Sequence, residues 1–395
     1  MRQQRLQRLL SLDDFERAAR RHLPRPLYGY VASVAEDGRT ARASREAFDD
    51  YDFLPRALVD VSTVSTEVEL FGERYAQPFG IAPMGISALS AYRGDEVLAR
   101  SAREAGIPMI VSGSSLIPME ELAGPRGSDW FQAYLPATSE DIDALLDRVR
   151  RAGFSTLVVT VDYAVPPNPE NHRRRGFSSP LRPSLRLAVD GLMRPRWLCG
   201  TFLRTLWRHG VPHFENNAAT RGVAVLAKDV NRDFSGRRHL DWSTLEQVRR
   251  QWPGKLVVKG ILHPDDARRA VDVGADGLIV SNHGGRQLDS TVAPLRMLPE
   301  VLAAVGTEVP VMIDGGFRRG SEVLKALALG ARFVFLGRPF NYAASVGGEA
   351  GIARAVSLLG DEIERNMALL GVTRIDQLGR EQLRASVSRD GGEAV

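Results

Sequence analysis

Eight short apolar runs recur from residue 79 onward, and most are separated from the next by a stretch of helical periodicity. The runs are 79–82, 109–111, 130–134, 157–161, 256–258, 278–280, 311–313 and 333–336. They are too short for buried helices and several are rich in β-branched or aromatic residues, so they read as fully buried strands. Between them, residues 94–105, 139–152, 243–252, 264–273, 294–305 and 319–329 read as amphipathic helices. Two of these carry start signals: Ser139 ahead of Glu140 and Asp141, and His263 followed by Pro264, Asp265 and Asp266. Strands that alternate with helices pair in parallel through right-handed crossovers. Eight such units predict an α/β chain closed into a (β/α)8 TIM barrel.

A chain of 395 residues suits one barrel with additions, and two segments stand outside the repeat. Residues 1–60 read as a helical extension, with helices expected over 12–21 and 26–35. Residues 163–240 form a long insertion after the fourth strand, and loops of that length are functional or disordered. The tail 386–395 is expected to be disordered. No apolar run reaches the roughly 18 residues of a spanning helix. The N-terminus lacks the apolar core of a signal peptide, and the single cysteine, Cys199, suits a reducing cytoplasm.

The net charge is only +4, but it is unevenly placed. Between Phe177 and Phe214 lie six arginines (182, 186, 194, 196, 204, 208) against one acid, Asp190, and Arg173, Arg174 and Arg175 precede them. Such a cluster admits a nucleic-acid reading. No helix-turn-helix, zinc-finger or RNA-binding signature accompanies it, so no nucleic-acid partner is expected. From Trp197 to Trp207 the apolar positions 198, 202, 203 and 206 follow helical spacing among Arg196, Arg204 and Arg208. A helix of that kind can lie in a membrane interface; a lid over the barrel or a subunit contact is the other reading.

In a barrel, ligand-binding groups stand at the C-terminal ends of the strands. Read strand by strand, those positions hold Ser112, Gln132 with Tyr134, Thr160 with Asp162, Lys259, Ser281 with His283 and Arg286, Asp314 with Gly315 and Gly316, and Gly337 with Arg338. The seventh and eighth strands end in IDGGFRRGS and LGRPF. Glycines there let backbone N–H groups approach an anion, and Arg318 and Arg338 add charge, which predicts a phosphate site. Lys259 is a candidate Schiff-base nucleophile or a cation facing developing negative charge. His283 is the one histidine at a predicted strand end and hence the candidate general base. Asp162 is its candidate carboxylate partner, and Arg286 a two-pronged clamp for a carboxylate. No metal site is read.

The segments SNHGGRQLD and DGGFRRGSEVLKALALGARFVFLGRP, with YGYVASVAED, IAP, FQAY, TVD and VVKG in order, resemble the FMN-dependent 2-hydroxy-acid oxidases and dehydrogenases. Members of that family act on glycolate, L-lactate or (S)-mandelate, and the likeness runs from about Tyr28 to Leu370. The resemblance implies FMN as cofactor and oxidation of an L-2-hydroxy acid to the 2-oxo acid. It implies that His283 is the base, supported by Asp162, and that Tyr30, Tyr134 and Arg286 bind the substrate carboxylate. Ser112, Gln132, Thr160, Lys259 and Ser281 would contact the flavin ring and Asp314 the ribityl chain. Gly316, Arg318, Gly337 and Arg338 would hold the phosphate. It further implies a homotetramer and, as in mandelate-oxidising members, attachment of the insertion to a membrane, with a quinone or oxygen as electron acceptor.

Three departures from the family pattern stand out, the first at a largely backbone flavin contact where tolerance is expected and the other two at the substrate pocket. Met84 follows Ala82 and Pro83 where a threonine is usual. Gly85 and Ser114 replace an alanine and a tryptophan, which is expected to enlarge the pocket and favour an aryl or otherwise bulky, mandelate-like acid over a small one. Pro169 stands where the family carries an arginine before Glu170, and Arg173 to Arg175 are the expected substitutes. An L-lactate-type enzyme, an isomerase of the isopentenyl diphosphate type on the same barrel, and a flavin-binding member without catalysis are the competing readings.

Overall fold

The computed structural model describes residues 2–124, 129–168, 170–174, 176–177, 185–227 and 237–386. Pro169, Arg175, Arg182 and the tail from 387 onward lie outside these residues, and with them the expectations placed there. All eight strands form where the apolar runs place them. They are β1 (Phe79–Ile81), β2 (Ile110–Ser112), β3 (Trp130–Ala133), β4 (Thr156–Thr160), β5 (Lys255–Ile261), β6 (Gly277–Val280), β7 (Val311–Asp314) and β8 (Phe333–Leu336). Consecutive strands from β2 to β8 pair in parallel, β8 pairs with β1, and a parallel bridge from Ile81 to Met109 joins β1 to β2. The barrel is therefore closed.

The outer layer is α1 (Gly94–Glu104), α2 (Met119–Leu122), α3 (Ser139–Arg151), α4 (Trp242–Gln251), α5 (Pro264–Asp272), α6 (Pro294–Val305), α7 (Gly320–Ala328), α8 (Arg338–Gly347) and α9 (Glu349–Leu370). Thr138, one residue before the expected start, caps α3 by accepting from the Asp141 N–H at 3.2 Å. His263 caps α5 through Nδ1 at 3.2 Å from the Asp265 N–H.

Alternation along the strands sorts two apolar layers. Phe131, Leu157, Val159, Leu256, Val258, Leu278 and Val280 belong to the layer shared with the helices. Ile110, Trp130, Val158, Val257, Ile279, Met312 and Phe335 form a second cluster inside the barrel. A hairpin, Val68–Leu70 with Glu73–Tyr75, contributes to that inner cluster, and its Phe71 ring lies 5.4 Å from Trp130.

The N-terminal extension contains helices Leu12–His22 and Arg25–Val31. The second stops four residues earlier than its pattern suggests, and the reason is tertiary. The carbonyls of Tyr30, Val31 and Ser33 accept from Arg286, while the Ala35 N–H donates to Gly285 O at 2.8 Å. The segment is thereby docked on the loop after β6 instead of continuing as helix.

In the insertion, Leu185–Leu192, Pro195–Trp197 and Arg204–His209 are α-helical and Leu198–Leu203 is a stretch of π-helix. The expected apolar face at 198, 202, 203 and 206 is not a single face. Trp197 is buried, with its indole N–H 2.8 Å from Leu89 O, and Leu198 and Phe202 pack on the core. Leu203 and Trp207 are exposed. A helix with i→i+5 bonds turns less per residue, so spacing suited to an α-helix no longer keeps those positions together.

Candidate active site

The same alternation that builds the inner core also sets its upper rim. On six strands the residue two places beyond an inward apolar side chain is polar: Ile110 and Ser112, Trp130 and Gln132, Val158 and Thr160, Val257 and Lys259, Ile279 and Ser281, Met312 and Asp314. Residues i and i+2 share a face of a strand, so these six side chains close the apolar interior with a polar layer.

That layer is internally bonded. Ser112 Oγ donates to Gln132 Oε1 at 3.2 Å. Lys259 Nζ donates to Ser281 Oγ at 3.0 Å and lies 3.1 Å from Asp314 Oδ2, both charges almost wholly buried. Burial pulls the Lys259 amine down, but Asp314 and Asp162 outweigh it and hold the group above its ordinary value. A Schiff-base nucleophile needs the neutral amine. Lys259 is instead a fixed cation, which favours the electrostatic alternative.

His283 follows β6 with φ 56°, and Gly284 and Gly285 continue in the same left-handed region. Few non-glycine residues adopt that backbone. At Gly285 a Cβ would come within 2.8 Å of Ala41 N, so the second glycine is what lets the loop press against the N-terminal segment. Reversing there, the loop turns His283 and Arg286 to the same cavity. His283 Nδ1 is 3.0 Å from Asp162 Oδ1, and its Nε2 is 3.4 Å from the Tyr134 hydroxyl. Burial raises the Asp162 carboxyl, yet His283 and Lys259 more than offset this and hold it below its ordinary value. Burial and the Asp162 charge push the Tyr134 phenol well above its usual range, so it remains a neutral donor.

Arg286 Nη1 donates to Tyr30 O at 2.9 Å, and its guanidinium lies 5.1 Å from the Tyr30 ring. Arg338 Nη2 donates to Gly284 O at 2.7 Å and to Ser33 O at 3.0 Å. Burial, with Arg286 and Arg318 nearby, pulls the Arg338 guanidinium down to about 10. Arg318 lies 3.4 Å from Glu16 and 3.7 Å from Asp13. An arginine whose charge is disfavoured by burial and neighbouring arginines, beside the glycine loops, suits an anion.

These groups surround one cavity of about 1040 Å³. Of the residues singled out in the sequence, Tyr30, Ser112, Tyr134, Lys259, His283, Arg286, Asp314, Gly316, Arg318, Gly337 and Arg338 line it. Gln132, Thr160, Asp162 and Ser281 do not; Gln132, Asp162 and Ser281 stand behind lining residues that they bond. The volume sits at the upper end of small-molecule sites, roughly 300–1,000 Å³, enough for a cofactor and a substrate together. Gln132 Nε2, Thr160 Oγ1 and Asp314 Oδ1 are buried without a hydrogen-bond partner among the described residues. Buried polar atoms normally have one, and donors and acceptors in this layer fit the edge of a heteroaromatic ring such as a flavin.

Gly85 and Ser114 both line the cavity. A Cβ at Gly85 would stand 2.8 Å from Ser114 Cβ, so this glycine draws the loops after β1 and β2 together as much as it opens space. Arg174 is exposed, ion-paired with Glu170, and does not line the cavity. Two neighbours carry no expectation from the sequence: Tyr163 lines the cavity, and Arg237 stands behind it with its guanidinium 5.8 Å from the Tyr163 ring. Tyr163 directly follows Asp162 at a strand end, a signal that was available; Arg237 sits in the insertion with no motif around it.

Residues 19–385 match the FMN-dependent dehydrogenase family. (S)-Mandelate dehydrogenase of Pseudomonas putida is 37% identical over 380 residues, covering 95% of this chain and 94% of that protein. An L-lactate dehydrogenase of Caulobacter vibrioides is 38% identical over 391 residues, covering 96% and 99%. Among solved structures, the monotopic membrane protein (S)-mandelate dehydrogenase superposes with a TM-score of 0.87 at 36% identity over 96% of this chain and 100% of that one. A mandelate oxidase superposes with a TM-score of 0.80 at 34% identity, covering 96% and 99%. With these relatives, the polar-rimmed barrel and the layer that fits a flavin agree: the chain belongs to the FMN-dependent dehydrogenase family and is an FMN-dependent 2-hydroxy-acid oxidoreductase.

Proposed function

We propose that this oxidoreductase converts an aryl or similarly bulky (S)-2-hydroxy acid to its 2-oxo acid, with His283 as the base. The observation that carries the reading is the hold on His283. Asp162 fixes one ring nitrogen and the other faces Tyr134, in the cavity that Arg286 also lines. Arg286 and the hydroxyls of Tyr30 and Tyr134 bind the substrate carboxylate. His283 Nε2 takes a proton from the substrate, and the charge so formed is stabilised by Asp162, which stays ionised. The two electrons released would pass to FMN, the acceptor the family supplies when it is bound. Ser112 and Lys259 would hold its ring, backed by Gln132, Thr160 and Ser281 of the same polar layer, Asp314 its ribityl chain, and Gly316, Arg318, Gly337 and Arg338 its phosphate. Lys259, kept charged by Asp314, supplies a preorganised cation to that ring.

The substrate preference rests on Gly85 and Ser114 in the cavity wall and on the mandelate-acting relatives. The L-lactate reading is favoured by relatives of equal identity. Mixing the FMN-loaded protein with (S)-mandelate or L-lactate without oxygen separates the two. Mandelate is expected to bleach the flavin band at least about tenfold more efficiently, a difference of ~1.4 kcal/mol in transition-state binding. The reverse order would transfer the assignment to lactate, and no bleaching by either would remove both.

No helix among the described residues is long and apolar enough to cross a membrane. The insertion nevertheless exposes Leu185, Val189, Leu192, Met193, Leu203 and Trp207 near Arg204 and Arg208. With a monotopic membrane protein among its neighbours, this surface supports peripheral attachment to an anionic membrane and a quinone acceptor.

A further inference from the structure

Arg237 lies at the far end of the insertion, just before α4, yet it is only 4% exposed. Its guanidinium sits 5.0 Å from the ring of Tyr134 and 5.8 Å from that of Tyr163. The two rings lie 5.3 Å apart, tilted against each other. Arg237 Nε also donates to Leu135 O at 3.0 Å, the carbonyl of the residue after Tyr134. One side chain thus holds the ring of Tyr134, the backbone beyond it, and the ring that follows Asp162 in sequence. Tyr134 and Asp162 are the two residues that approach the ring nitrogens of His283.

We propose that Arg237 is a positioning residue for the proton-transfer site, bracing Tyr134 and Tyr163 so that the Tyr134 hydroxyl stays aligned with His283. The part played in catalysis rests on the function proposed above; the bracing itself does not. A guanidinium over an aromatic face is attracted to the ring quadrupole, more strongly where water is excluded. The planar fork also makes the Leu135 bond while stacked, which a lysine cannot reproduce in full. The insertion therefore contributes to the site from its far end, through a residue that does not itself line the cavity.

The test uses the FMN-loaded protein labelled with fluorotyrosine, with Tyr134→Phe and Tyr163→Phe assigning the resonances. Arg237→Gln should shift or broaden both signals, and Arg237→Lys should move them less. In flavin reduction, Arg237→Gln should lower kcat/KM about tenfold at unchanged FMN content, with partial recovery in Arg237→Lys. In a Tyr134→Phe background the same substitution should cost less than about twofold, because coupled residues are not additive. Unmoved fluorine signals would overturn the bracing whatever the enzyme oxidises. A full tenfold loss in the Tyr134→Phe background would show that Arg237 does not act through that hydroxyl. If the wild type reduces its flavin with no 2-hydroxy acid while the signals move, the function falls and the bracing stands.

Discussion

The rim of the barrel and the insertion between β4 and β5 are both rich in charge, but they use it in opposite ways. At the rim, ionisable groups are largely buried and paired with each other: Lys259 with Asp314, and His283 with Asp162. Each group is fixed by a strand or a tight loop, and the pairing holds the Lys259 amine above and the Asp162 carboxyl below its ordinary value. In the outer insertion Arg196, Arg204 and Arg208 are exposed and sit among exposed apolar side chains, with Arg208 5.8 Å from the Trp207 ring. Its inner side is sewn to the barrel by backbone and amide contacts together with two arginines, Arg237 on Leu135 O and Arg148 on Glu215 O. Asn216 accepts from the Met119 N–H at 2.8 Å and donates to Ile117 O at 2.8 Å, and Glu215 N–H donates to Ser115 O at 3.1 Å. Charge buried in pairs suits the proposed chemistry; charge displayed beside apolar surface suits the proposed attachment.

That contrast can be broken most severely at Lys259. Lys259→Met leaves Asp314 buried without its cation, a change worth ~3–5 kcal/mol in stability. Thermal unfolding of the variant checks it, and a loss below ~1 kcal/mol would mean the rim network does not hold itself together. Arg286→Lys is milder. An ammonium cannot reproduce the paired contact, so KM for the hydroxy acid should rise about tenfold or more, the value of one charged hydrogen bond. An unchanged KM would take Arg286 out of the substrate site. The smallest effect on chemistry is expected in the insertion. Replacing Leu203 and Trp207 together with serine should abolish flotation with anionic liposomes at low salt, while flavin reduction stays within about twofold. Equal flotation of variant and wild type would leave the exposed face without its proposed partner.

The barrel was legible because its signal is periodic: each strand is an apolar run, and polar residues at i+2 from an inward side chain announce the rim. His283, Arg286 and the glycine loops were legible for the same reason, since they follow strands directly. What escaped notice lies where periodicity fails. The helix over 25–31 ends early because Arg286, from a distant loop, takes the carbonyls of Tyr30 and Val31, a contact no local pattern records. The π-helical turn at 198–203 scrambles a face that spacing alone made continuous. Arg237 reaches Tyr134 across 103 positions of sequence, and only the closed barrel brings them together. The pairing of Lys259 with Asp314 likewise became visible only once β5 and β7 stood around one interior.

The most direct test of the account is single-turnover flavin reduction in His283→Gln. Glutamine leaves the phosphate loops untouched, so FMN should remain bound. Mixed anaerobically with the substrate that bleaches the wild type, the variant should reduce its flavin about 10² to 10⁴ times more slowly, the usual share of a positioned base. Reduction at close to the wild-type rate, with FMN content equal, would show that the proton leaves by another group and that the hold of Asp162 and Tyr134 on His283 is not the centre of this site.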